Sequence, residues 1–181
     1  MNDRVQILRL TQIAFLNALI LSFLGIQFVI PFASIALLLV IPVIFALQVY
    51  HVPIKIAFIS GLAIVILSFV LYGVILCIWS LTYFVLGITL GWSYRNRIPF
   101  GYRLFLVSLV FYVSILGIMI IFGRMANITW EYISDTIKNQ QLLQQVPLIP
   151  IMGIGLMGWA ILNSFGTDRI LYRVLHQLYS A

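Results

Sequence analysis

Acidic side chains are nearly missing from this chain: Asp3, Glu131, Asp135 and Asp168 are all that 181 residues supply. Intramembrane proteases draw on paired aspartates, a serine with a histidine, or HExxH, and acyl or phosphoryl transferases on clusters of acids, His or Asn at an interface. The only close acidic pair, Glu131 with Asp135, has no histidine beside it, so no catalytic residue is assigned and an enzyme is not expected. Cysteine is as scarce. Cys77 stands alone, which excludes an internal disulfide or a cysteine metal pair; inside an apolar run it reads as a small packing residue. No GxxxxGK[ST] loop occurs, so the chain lacks the phosphate cradle of an ATPase. No cofactor and no metal are expected.

Charge of either sign is also thin. Only 8% of residues are charged, against roughly 25% in a typical soluble domain. With 64% hydrophobic residues and a mean hydropathy of +1.16, a water-soluble fold could not hide its apolar surface. Residues 1–181 therefore read as one integral membrane domain, all-α. The net charge of +6 comes from residues in short loops between apolar runs. It points to membrane lipid headgroups and topology, with no nucleic acid as partner.

What is present is a series of spans of roughly 20 residues, the length that crosses a bilayer. After a short N-terminus, 1–7, read as retained because no small-x-small cleavage site follows, the spacing predicts transmembrane helices over 8–29, 31–50, 54–70, 73–92, 104–122 and 147–165. Pro31 suits a first helical turn. Tyr72-Gly73 marks a tight hairpin, since 54–92 as one helix would overshoot the bilayer by nearly a factor of two. Gly166 is read as a break. Beyond it, Ile170, Leu171, Val174, Leu175 and Leu178 fall at helical spacing, predicting an interfacial helix over 168–179. The segment 127–145 alternates Trp130, Ile133 and Ile137 with polar residues and reads as an amphipathic excursion on the outer surface.

The longest polar interruption in the first two thirds of the chain is 93–103, with Arg95, Arg97 and Arg103 and no acid. Arginine-rich short loops stay cytoplasmic. With the N-terminus inside, the inner segments hold Arg4, Arg9, Lys55, Arg95, Arg97, Arg103, Arg169 and Arg173, and the outer ones only Arg124 and Lys138. The bias predicts about six helices with both ends inside.

Small residues recur at helix-packing distances. Gly87 and Gly91 form GxxxG, and Ala14 and Ala18 form AxxxA, spacings that let helix backbones approach closely. Gly153, Gly155 and Gly158 match GxGxxG, but with no preceding strand they read as helix packing and not as a dinucleotide loop. Asn17 and Asn163 are read as interhelical hydrogen-bonding residues, and Trp92 with Tyr94 as an interfacial belt. His51 and Lys55 read as interfacial positives. No charged residue is placed near the middle of a span, which argues against ion-coupled transport.

The Ala14-x-x-x-Ala18 spacing, the run from Leu37 to Ala46, the His51 to Gly61 turn, and Leu86-Gly87-x-x-x-Gly91 before the basic loop together resemble the substrate-binding (S) components of energy-coupling-factor (ECF) vitamin transporters. More closely, they resemble a bacterial family of membrane proteins related to those components. The likeness covers about 8–103. It implies an S-component-like bundle in the bacterial cytoplasmic (inner) membrane, with Ala14 and Ala18 docking on a transmembrane coupling subunit and ATPases as further partners. The small-molecule ligand is left open. A non-catalytic scaffold of the MreD type, a cell-envelope subunit, has the same size and helix count and stands as the alternative.

Overall fold

The computed structural model describes residues 3–30, 34–125 and 148–179. They form six helices: α1 (Asp3–Val29), α2 (Ser34–His51), α3 (Ile54–Tyr72), α4 (Val74–Arg95), α5 (Phe100–Met125) and α6 (Leu148–Tyr179). Four stretches are long and apolar enough to cross a bilayer: Leu10–Val29 of α1, Ile54–Tyr72, Val74–Arg95 and Phe100–Ile121 of α5. The outer excursion expected over 127–145 lies outside the described residues.

The helix α2 is the hub. Ile41, Pro42, Val43, Ile44, Phe45 and Ala46 are buried in succession, and six consecutive buried positions on a helix leave no face uncovered. It packs against α1, α3, α4 and α6. Its closest neighbour is α4, where glycine makes the approach possible. A Cβ on Gly87 would lie 2.2 Å from Phe45 Cβ and 2.8 Å from the Pro42 carbonyl oxygen; one on Gly91 would lie 2.6 Å from the Ala46 oxygen. The matched order of these contacts makes α2 and α4 run in the same direction. At Gly155 and Gly158, by contrast, no described atom lies within 4 Å of an added Cβ, and at Gly153 the nearest is Tyr112 Oη at 3.9 Å. The close packing expected there is not made among the described residues, because that stretch of α6 faces outward.

The core is apolar, as in a soluble protein, but so is much of the surface. Large apolar side chains such as Phe15, Ile59, Val70, Ile154 and Leu162 are exposed, while Gln27, Gln48, Ser68, Ser80, Ser164 and Asp168 are buried. Lipid tails cover such a surface, and interior polar groups bond one another.

Two junctions differ from the sequence reading. The hairpin at Gly73 forms as expected, with φ at +85°, a conformation open to glycine because it has no Cβ. The basic loop, however, shrinks to Asn96–Pro99, since α4 continues through Arg95 and α5 already begins at Phe100. Backbone bonds from Asn96 to Trp92, Arg97 to Tyr94 and Ile98 to Ser93 close the α4 end. Gly166 does not break α6. The helix passes through it for 32 residues, about 48 Å at 1.5 Å per residue, and the interfacial helix expected over 168–179 is its continuation. Glycine here serves contact instead: an added Cβ would lie 3.2 Å from Leu39.

Candidate functional site

Short connections make α1 to α5 successively antiparallel, and the pairing of Arg103 with Asp168 and of Tyr112 with Gly153 sets α6 antiparallel to α5, so one end of the bundle collects the start of α1, the end of α2, the starts of α3 and α5, and the ends of α4 and α6. Arg95, Arg97, Arg103, Arg169 and Arg173 belong to this end. They are not equivalent. Arg95 donates from Nη1 to the carbonyl oxygens of Val52 (2.9 Å) and Val49 (3.5 Å), placing a cation on the unsatisfied carbonyls that end α2. Arg97 is exposed, with φ at +53°.

Arg103 is drawn into the bundle. Its Nε meets Asp168 Oδ1 at 2.5 Å and its Nη2 meets Oδ2 at 3.4 Å, and Nη1 donates to the Ile98 carbonyl oxygen at 3.2 Å. The guanidinium carbon lies 3.9 Å from the centroid of the Tyr94 ring, within cation–π range. The Tyr94 hydroxyl in turn donates to the Asp168 backbone carbonyl at 3.1 Å. Side-chain exposure is 12% for Arg103 and 5% for Asp168. Arg103, read from the sequence as a topology and interface residue of the basic loop, is thus a residue of α5 paired with a carboxylate that the unbroken α6 carries into the core, and Tyr94 of α4 joins the pair through its ring and hydroxyl. Arg169, one position on, lies over the rings of Phe165 and Phe100, at 5.1 and 5.7 Å.

A second polar cluster joins α1, α2 and α3. Gln48 Nε2 donates to Asn17 Oδ1 at 2.6 Å, while Asn17 Nδ2 and Ser60 Oγ lie 2.8 Å apart. Asn17 thus bonds across helices, whereas Asn163 donates to the Trp159 carbonyl of its own helix. Gln48 Oε1 is buried with no hydrogen-bond partner among the described residues. Beside it a cavity of about 340 Å³ opens between α1, α2 and the last turns of α6, lined by Gln12, Ile13, Phe15, Leu16, Leu47, Gln48, His51, Val52 and Leu178. Further along, the Tyr83 hydroxyl donates to Gln27 Oε1 at 3.2 Å, and the hydroxyls of Ser68 and Ser80 lie 2.9 Å apart.

The helix α1 divides cleanly. Ile13, Ile20, Leu24 and Gln27 are buried, while Thr11, Ala14, Ala18 and Ser22 are exposed on the opposite face. Thr11 and Ser22 return their hydroxyls to the carbonyls of Ile7 and Ala18, so these four side chains are small and their hydroxyl donors are spent within the helix, while the larger Ile7, Phe15 and Val29 are exposed on the same side. Sequence spacing identified Ala14 and Ala18; Thr11 and Ser22 were legible from the same period. The Arg103–Asp168 pair was not, because its partners are far apart in sequence and only the unbroken α6 brings them together.

Fold and site together define an all-helical membrane protein with an apolar core that holds a few buried polar clusters, and a basic end. No protein-family model, curated protein or solved structure matches the chain.

Proposed function

We propose that the chain is the membrane-embedded, non-catalytic subunit of a multi-subunit importer for a vitamin or similar small molecule, resembling an ECF S component. It sits in the bacterial cytoplasmic membrane with the basic end and both termini inside. The reading rests on the outward face of α1, where Thr11, Ala14, Ala18 and Ser22 are exposed and covered by no other helix among the described residues. Small residues on a lipid-facing helix let another helix approach to backbone distance, and the partner of that face is a transmembrane coupling subunit. ATP hydrolysis belongs to partner ATPases.

The experiment is purification of the tagged full chain from its native membrane in mild detergent, with identification of the proteins and small molecules retained. ATPase and coupling subunits together with a bound vitamin are the expected result. Cell-envelope proteins without a small molecule would replace this reading with the MreD-like scaffold.

A further inference from the structure

We propose that Arg169, with Arg173 one turn further along α6, binds the headgroup phosphate of an anionic phospholipid at the basic end of the bundle. The site rests on how the Arg169 guanidinium is held and on what it lacks. Phe100 and Phe165 meet edge to face with their centroids 6.3 Å apart, and the guanidinium carbon lies 5.7 and 5.1 Å from those centroids, within cation–π range. Rings from α5 and α6 thus fix the cation, yet Arg169 and both rings remain exposed. Its N–H fork has no acceptor among the described residues. Asp168, the carboxylate described at this end, is already taken: both its oxygens face Arg103. The anion for Arg169 has to come from outside the described chain.

Depth and neighbours decide its class. Phe100 opens α5, so the ring pair stands where that span leaves the hydrocarbon. Ile154, Ile161, Phe165 and Tyr172 are exposed and recur at helical spacing on the side of α6 that carries Arg169. This face therefore offers an apolar stripe with a cation at its end, and a phospholipid joins the two matching parts in one molecule. Its phosphate presents two oxygens to the planar guanidinium fork, while an acyl chain lies along Ile161, about 12 Å further into the bilayer at 1.5 Å per residue. An acidic protein segment would match the cation and leave the stripe uncovered. Arg173 selects the headgroup. It is exposed and, four residues on, shares a side of the helix with Arg169, so it repels the ammonium of a zwitterionic lipid and attracts a headgroup of net negative charge.

The test uses the purified full chain in phosphatidylcholine nanodiscs, without partner proteins, and is therefore independent of the importer reading. Phosphatidylglycerol and phosphatidylcholine probes with the same diazirine-bearing acyl chain are each added as a minor component, and labelled peptides are located by mass spectrometry. In the unmodified protein the phosphatidylglycerol probe is expected to label segment 154–165 more than the phosphatidylcholine probe does. Arg169→Gln is expected to lower that preference about fivefold, the factor equivalent to roughly 1 kcal/mol per basic side chain at an anionic surface. Arg173→Gln, which leaves the Phe100 and Phe165 rings and Arg169 in place, is the second variant and is expected to lower it as well. Arg97→Gln removes an exposed arginine of the same end and is expected to leave the preference unchanged. Equal labelling of the unmodified protein by the two probes, the result if a protein partner is the true occupant, overturns the proposal. So does a preference that survives both α6 variants, or one that Arg97→Gln lowers as much as Arg169→Gln, the mark of diffuse surface charge.

Discussion

Arg103 and Asp168 close a two-point ion pair between the first turn of α5 and the final third of α6, with Nε 2.5 Å from Oδ1 and the Tyr94 ring stacked on the guanidinium. Burying two charges is tolerable here because both carboxylate oxygens meet the guanidinium, which has a further acceptor in the Ile98 carbonyl and the face of the Tyr94 ring. Removing one charge leaves the other buried and unpaired. Arg103→Met or Asp168→Leu alone is expected to cost about 3–5 kcal/mol, and the double replacement much less than their sum. Unfolding of the four proteins in the same detergent measures this; additive losses would mean that the pair is not coupled.

The sequence made the membrane class, the six helices and the hairpin at Gly73 legible, because apolar length and turn chemistry are local. It misjudged what depends on tertiary contact. Gly166 reads as a helix breaker in isolation, yet its value here is the room it leaves for Leu39. That misreading moved Asp168 into a surface tail, and a separate one, starting α5 at 104 and not at Phe100, made Arg103 a loop residue. Similarly, GxxxG at Gly87 and GxGxxG at Gly153 look alike as text, and only the position of α2 tells which faces a neighbour.

That contrast is measurable. Gly87→Ala places a methyl group against Phe45 and the Pro42 carbonyl, at distances no real contact reaches, and is expected to destabilise by about 1–3 kcal/mol. Gly155→Ala meets no described atom within 4 Å and is expected to stay within about 0.5 kcal/mol of the parent. Thermal scans of both in one detergent decide the matter; equal losses would place an unseen neighbour against Gly155.

At Ala14 and Ala18 the expected phenotype separates stability from assembly. Both are exposed, so Ala14→Leu with Ala18→Leu creates no clash among the described residues and the melting temperature should not move. If the α1 face docks on a partner helix, recovery of co-purifying subunits should fall sharply, because overpacking a close helix contact costs roughly 1–3 kcal/mol. Unchanged recovery would assign this face to lipid.

Orientation follows from the arginine-rich end. Cysteines introduced at Asn96, between α4 and α5, and at Ile30, at the far end of α1, in a Cys77→Ser background should react with an impermeant thiol reagent from opposite sides of the membrane. Asn96 should be reached only after the cells are opened. Labelling of both from the same side would dismantle the proposed topology.

The final expectation concerns ion coupling, where the structure changes the argument that the sequence offered. The sequence placed no charge within a span; the fold buries Asp168, a carboxylate of the kind proton-coupled transporters use. Its two oxygens, however, are both within reach of Arg103, and an acid that stores and releases protons during transport must be able to leave its cation. Here the guanidinium is fixed from three directions, by Asp168, the Ile98 carbonyl and the Tyr94 ring, so the pair acts as a structural tie between α5 and α6. Protein reconstituted without partners into liposomes containing pyranine should therefore show no proton flux above that of empty liposomes when a pH gradient is imposed. Arg103→Met, if it folds, supplies the control in which the carboxylate is released. A flux in the unmodified protein that Asp168→Asn abolishes would make this residue a proton carrier, and would displace the importer-subunit and scaffold readings together.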